Sequence, residues 1–189
     1  MKIFFLDTSS FFINLALVSG EQIIYHQEAN NQQLSEKIMP LIMDFFQKNQ
    51  VQPSEIDKIY VTNGPGSFTG IRLGLTITKT MAWDLQIPIY PISTLLLYAS
   101  HYDEDVAIII PEKEAMGYLG IYNKNLVKKS ESYTDITNKP KIKTIVLNKA
   151  ENQPINFPKI IKKFKNKELN VHNIKPNYLK QIEVEKTGD

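Results

Sequence analysis

Asn63-Gly64-Pro65-Gly66-Ser67-Phe68-Thr69-Gly70-Ile71-Arg72-Leu73-Gly74-Leu75 is the stretch whose reading decides the fold. Just before it, Ile59-Tyr60-Val61-Thr62 is a short apolar run that reads as a buried strand, and after it helical spacing extends to about Leu85. The stretch therefore joins a strand to a helix through a glycine turn. Gly64 and Gly66 permit backbone angles closed to side chains, and Pro65 stiffens the turn between them. Ser67 is placed as an N-cap, its hydroxyl free to accept from first-turn amides. A helix start of this kind can hold an anion, and the same residues equally make a plain tight joint. Against a phosphate loop, no Lys followed by Ser or Thr stands at Walker spacing and the glycines do not fall as G-x-G-x-x-G. The glycines at 66, 70 and 74 recur four apart, leaving a bare stripe on the helix where another backbone can come close.

Upstream, Lys2 to Leu6, Ile13 to Val18 and Gln22 to Gln27 read as strands, with Ser19-Gly20-Glu21 as the turn between the last two. Asn31 to Gln50 then has helical spacing. Leu34, Ile38, Leu41, Ile42 and Phe45 make one face of it; Met39, Met43 and Phe46 make a second. A helix on the surface of a monomer needs one apolar stripe, so the second asks for another helix to cover it. Pro40 removes one backbone bond inside this helix and should bend it. Downstream, Ile87 to Ile92 reads as a strand and Ser93 to Ser100 as a helix, with Asp103-Glu104-Asp105 as a boundary. From Val106 the pattern restarts: Val106 to Ile110, Tyr118 to Tyr122, Leu126 to Glu131 and Ile142 to Leu147 read as strands. Lys159 to Lys167 reads as a basic helix and Leu169 to His172 as a last strand. The expected division is 1–102 for a first unit and 103–189 for a smaller, truncated second one.

The 189 residues suffice for one large domain or two small ones, and 42% hydrophobic content is ordinary for a soluble globule. With no cysteine there is no disulfide and no thiolate site, which agrees with a reducing, cytoplasmic setting. Lys2 followed by Ile3-Phe4-Phe5-Leu6 imitates the start of a signal peptide, but Asp7 ends the apolar run too early. No run is long enough to cross a membrane. The net charge of +2 conceals an asymmetry: residues 1–123 hold 7 basic against 13 acidic side chains, residues 124–189 hold 15 against 7.

The run GPGSFTGIRLGL, the segment Ser35 to Ile42, the segment Ile87 to Leu95, the opening Leu6-Asp7-Thr8-Ser9-Ser10 and the closing Pro176-Asn177-Tyr178-Leu179 together resemble the bacterial TsaB family, also called YeaZ. The likeness is dense over residues 1 to about 100 and sparse beyond. It implies an α/β, actin-like and sugar-kinase-like (ribonuclease H-like) duplicated fold with a reduced second unit. It also implies a non-catalytic, cytoplasmic partner that binds and activates TsaD, the enzyme that transfers a threonylcarbamoyl group to the adenosine beside the anticodon of certain tRNAs. Two departures stand out. The histidine usual before the Ser35 position is Leu34, and the acidic and arginine residues usual near the start of the second unit are replaced by Pro111-Glu112-Lys113-Glu114.

In an actin-like fold, as the resemblance implies, nucleotide phosphates sit between two loops, one from each unit. Asp7 occupies the first place, but Phe11-Phe12 fills the turn after it and the second unit has no Asp-Gly-Gly loop. Asp7 reads as a capping or structural acid. His26, His101 and His172 lie far apart, without the helical pair that the resemblance leads one to expect of a metal site like TsaD's. Gly66-Ser67-Phe68-Thr69-Gly70 is not a nucleophile elbow, because its serine stands one place early. No catalytic residue, cofactor or metal is therefore expected. Two other classes remain: a free-standing actin-fold ATPase or kinase, and a peptidase acting on TsaD.

The partner-binding residues expected are Met39, Met43, Phe46, Gly70, Arg72, Leu73, Gly74, Ile77 and Met81, on the two helices. Arg72, the only arginine, reads either as a solvated charge or as a bidentate contact to a partner carboxylate. Trp83 reads as core or interface packing. Lys159, Lys162, Lys163, Lys165 and Lys167 surround Ile160, Ile161 and Phe164, which reads as a solvated basic face or as a tRNA contact. Besides TsaD, the partners the resemblance implies are a TsaE-type ATPase, tRNA at most through the complex, and a second copy of the chain in a homodimer when it is alone.

Overall fold

A computed structural model describes residues 1–30, 33–164 and 170–180. The first sheet is built from β1 (Lys2–Asp7), β2 (Phe12–Ser19), β3 (Gln22–Ala29), β4 (Lys58–Gly64) and β5 (Ile89–Ser93), in the order β3-β2-β1-β4-β5. Strands β1, β2 and β3 pair antiparallel, while β4 and β5 add in parallel. The parallel crossovers are helical: α1 (Leu34–Lys48) precedes β4 and α2 (Phe68–Asp84) joins β4 to β5.

Strand alternation divides the core in two. Ile3, Phe5, Ala16, Val18 and Tyr60 face one side, and Phe4, Leu6, Leu15, Leu17, Ile59 and Val61 face the other. The second group is covered by α1 and α2. The first packs against α3 (Thr94–Ala99) and the second sheet, so one apolar layer is shared between the two sheets. Phe5 stacks on Tyr60 with ring centroids 4.7 Å apart, and Tyr60 on Tyr90 at 4.6 Å.

The second sheet contains β6 (Val106–Pro111), β7 (Met116–Tyr122), β8 (Lys128–Asp135) and β9 (Lys143–Val146), in the order β8-β7-β6-β9. Its pattern repeats β3-β2-β1-β4: two antiparallel hairpins, then one parallel strand. The reduction is visible in the connections. No helix stands between β8 and β9, and α4 (Phe157–Phe164) has 8 residues where α2 has 17.

The acids between α3 and β6 anchor the basic half. Asp103, Glu104 and Asp105 pair with Lys159, Lys143 and Lys129 at 3.0, 2.6 and 2.5 Å. These pairs are largely exposed and individually weak, but they account for where the opposite charges of the two halves meet.

Two elements differ from expectation. Strand β8 begins at Lys128 because Leu126 has φ 59 and turns the chain while its side chain is buried. Of the expected strand Leu169 to His172, Leu169 lies outside the described residues, and Val171–Asn173 is a turn of 3-10 helix opened by Asn170, whose side chain accepts from the His172 amide at 2.9 Å. Lys165 and Lys167, and the start of the expected helix at Asn31 and Gln32, also lie outside the described residues.

Candidate functional site

The glycine turn ends β4 and starts α2 as its residues require. Gly64 has φ 109 and Gly66 φ 146, and the Ser67 hydroxyl accepts from the Gly70 amide at 3.2 Å. What lies on the glycine stripe is this chain's own β1–β2 turn. A methyl group at Gly66 would collide with the Ser9 carbonyl, at Gly70 with the Thr8 carbonyl, and at Gly74 with the Thr8 hydroxyl. Thr8 Oγ1 in turn donates to the Gly70 carbonyl at 2.7 Å. The reading of Gly70 and Gly74 as partner contacts is thereby corrected, because both are buried against Thr8 and the backbone that approaches closely is internal.

Asp7, at the end of β1, is buried and hydrogen-bonded on both oxygens. Oδ1 accepts from the Ser9 amide and hydroxyl and from Thr62 Oγ1, while Oδ2 accepts from Asn14 Nδ2 and Tyr98. Every short contact of this acid is structural. Burial, followed by the nearby Asp7 charge, pushes the Tyr98 hydroxyl well above its ordinary pKa.

Helices α1 and α2 expose an apolar groove of about 1040 Å³. Met39, Met43 and Trp83 stand out to solvent on its rim, and Ile77 and Met81 are half-buried along it. Leu73 is also half-buried, packed against the core under α2. Phe46 corrects the expected face. It lines the groove's floor but is 4% exposed, its ring 5.0 Å from Phe4, because the α1 stripe that meets the sheet is wide enough to include it. Trp83 is 57% exposed, and its ring and that of His172 meet edge-to-face with centroids 5.0 Å apart.

A second concavity, of about 1160 Å³, lies between the two sheets. Its walls carry Ser9 and Ser67 from the first unit and Glu112, Glu131 and Tyr133 from the second. Glu131 accepts from the Tyr122 and Ser93 hydroxyls, and burial next to this carboxylate pushes the Tyr122 hydroxyl far up. Burial alone would raise Glu112, but hydrogen bonds from Tyr133 and Lys180 outweigh it and hold the carboxyl below its ordinary range. Arg72, at the rim, is engaged within the chain. Its guanidinium lies 3.7 Å from the Phe68 ring centroid, and Nε donates to the Tyr178 hydroxyl at 2.9 Å. The groove between the helices brings together the expected Met39, Met43, Phe46, Ile77 and Met81, whereas the cleft between the sheets was not expected from the sequence; of the closing Pro176-Asn177-Tyr178-Leu179, Tyr178 and Leu179 line it. Among the described residues, no group of three or more His, Asp or Glu side chains could hold a metal ion, and no helix is long and apolar enough to cross a membrane.

Of the expected basic face, Lys159 is spoken for: Nζ donates to the Tyr102 carbonyl at 2.6 Å and to Asp103 at 3.0 Å. Lys162 is exposed and Lys163 half-buried on α4, beside Ile160 in the core.

Known proteins resemble the chain in sequence and in fold. The chain is 34% identical to the tRNA threonylcarbamoyladenosine biosynthesis protein TsaB of Bacillus subtilis over 130 residues, covering 65% of this chain and 55% of that protein. It is 26% identical to the protein of the same name from Buchnera aphidicola subsp. Acyrthosiphon pisum over 172 residues, covering 88% and 77%. The chain is thus similar in sequence to proteins of the TsaB family. The family model for TsaD, tRNA N6-adenosine threonylcarbamoyltransferase, matches residues 21–111. YeaZ from Pseudomonas aeruginosa has the same fold, with a TM-score of 0.81 at 19% identity over 94% of this chain and 99% of that one. The fold is actin-like, duplicated and reduced in its second unit, as the repeated sheet order displays. The match to the Bacillus protein spans little more than half of that relative's length.

Proposed function

We propose that this chain acts in tRNA threonylcarbamoyladenosine biosynthesis as a non-catalytic subunit that binds and activates TsaD. The observation that carries the reading is the uncovered groove between α1 and α2, with Met39 45% and Met43 65% exposed beside Ile77, Met81 and Trp83. Flexible methionines around a helical groove suit an apolar helix pair of a partner. The match of the TsaD family model to the part of this chain that contains α1 and α2 supports a similar helix pair of TsaD as the occupant. The same face offers a homodimer contact when TsaD is absent. A TsaE-type ATPase would then join the pair rather than this chain alone, and tRNA would be reached through the complex.

The non-catalytic part of the proposal rests on Asp7, whose two oxygens are committed to Ser9, Thr62, Asn14 and Tyr98. A carboxylate so engaged is a poor metal guide or general base.

The test is co-elution with the host's TsaD and threonylcarbamoylation of tRNA by the mixture. The parent chain should form the complex and support the reaction. Met43→Asp, at an exposed position, should remain folded and lose both. If Met43→Asp binds and activates as the parent does, the groove is not the docking face.

A further inference from the structure

The segment Ile174–Lys180 leaves the short 3-10 turn and returns across α2. The Ile174 side chain is buried in the core beneath that helix, and Lys79 Nζ donates to its carbonyl at 3.2 Å. Further along, the Asn177 amide donates to the Asn63 carbonyl at 2.6 Å, and Asn63 Nδ2 donates to the Lys175 carbonyl at 3.2 Å. The segment lies so close to the glycine turn that a methyl group at Gly64 would stand 2.7 Å from the Asn177 carbonyl. Gly64 thus meets two demands, its φ of 109 and the space this segment occupies.

The last residues reach both walls of the cleft between the sheets. Tyr178 stacks on Phe68 with centroids 5.1 Å apart and accepts from Arg72, both on α2. Two residues on, Lys180 Nζ lies 3.1 Å from Glu112 and 5.1 Å from the Tyr133 ring centroid, both in the second unit. The Tyr133 hydroxyl donates to the same Glu112 oxygen at 2.8 Å, so carboxylate and ring together form a seat for one ammonium group.

We propose that Ile174–Lys180 is a latch that fastens the first unit to the second across the cleft, with Tyr178 clamped on α2 and Lys180 filling an ammonium seat made by Glu112 and Tyr133. Its outer contacts are partly exposed and separately weak, so the latch opens as a local unit while both sheets stay intact. While closed it keeps the Lys180 ammonium on Glu112, so that charge is engaged within the chain and not offered to an anionic occupant. Anything entering the cleft, or any hinge motion of one unit against the other, requires the latch to release.

The chain contains no cysteine, so a single introduced thiol reports its own accessibility. Ser132→Cys, on the cleft wall, would be labelled with a maleimide in the full chain, alone and combined with Tyr178→Ala or with Glu112→Gln. Ala16→Cys, fully buried in the core, serves as the reporter of global unfolding. The latch predicts that either second substitution speeds labelling at 132 by about 10-fold or more, the scale of losing one charge-assisted hydrogen bond, with labelling at 16 unchanged. Tyr178→Phe, which keeps the stack and loses the Arg72 bond, should fall between. Equal labelling at 132 with and without the second substitution overturns the proposal, and so does an equal acceleration at both thiols.

Discussion

Five donors converge on the carboxylate of Asp7, and the stability of the turn between β1 and β2 follows from that one residue. Asp7→Ala would take the acceptor from three hydroxyls and two amide groups, and hydrogen bonds to a charged group contribute about 1.5 to 3 kcal/mol each. A loss of about 3 kcal/mol or more in urea denaturation is expected; a change within experimental scatter would mean the donors find other acceptors. Tyr98 supplies a pH dependence with a definite sign. Its folded pKa lies well above that of a free tyrosine, so the folded state keeps a proton that the unfolded chain releases near pH 10. The associated stability is fully present below about pH 10 and declines as pH rises beyond it. Denaturation midpoints measured from pH 8 to 11 should fall at the alkaline end, less steeply in Tyr98→Phe. Tyr25, pushed up to about 12 mainly by burial, and Tyr60, also about 12 for the same reason, add to the decline in the parent.

Each helix has a face whose role depends on what lies opposite. On α2 the glycines face Thr8 and Ser9, so Gly74→Leu overpacks this chain's own interior and should destabilise it by about 1 to 3 kcal/mol. Thermal denaturation of the isolated protein checks this, and a Tm equal to the parent's would return the stripe to the partner. On α1, Phe46→Asp would place a charge against Phe4 and is expected to unfold the protein, whereas Met43→Asp should not; circular dichroism of the two separates core from surface directly. On α4 the proposed hold on tRNA rests on Lys162 and, beyond the described residues, on Lys165 and Lys167, since Lys159 is anchored to Asp103. Changing these three lysines to Gln should flatten the salt dependence of tRNA binding by the TsaD complex by roughly 0.7 to 0.9 units for each phosphate no longer neutralised. An unchanged slope in filter binding would leave them as solvated surface.

At the level of the whole molecule, an actin-like frame has kept its two units and altered the space between them. Glu112 and Glu131 line the cleft and hold Lys180 and Lys128 at 3.1 and 3.7 Å, so these ammonium groups are engaged within the chain and not offered to a triphosphate. Calorimetric titration with ATP should therefore give no binding at micromolar concentrations. Micromolar binding abolished by Asp7→Ala would revive the ATPase reading and count against a purely supporting subunit.

Much of this was legible in single residues and short periods. Alternation of Ile3 and Phe5 against Phe4 and Leu6 determined a strand buried on both faces, and Gly64 to Ser67 determined the turn and cap that start α2, because such preferences act over one to four residues. The restart of strands at Val106 was readable as a succession of elements, while the duplication itself was implied by that order together with the family resemblance. Only the tertiary structure decided what each face meets. Helical period gives the direction in which Phe46 and Gly74 point, but not that Phe4 and Thr8 stand there. The latch shows the limit most sharply: Arg72 and Tyr178 are 106 residues apart and Asn63 and Lys175 are 112 apart. Contacts at such separations leave no local period or spacing to read, because they are set by how the chain closes on itself and not by the preferences of the residues that make them.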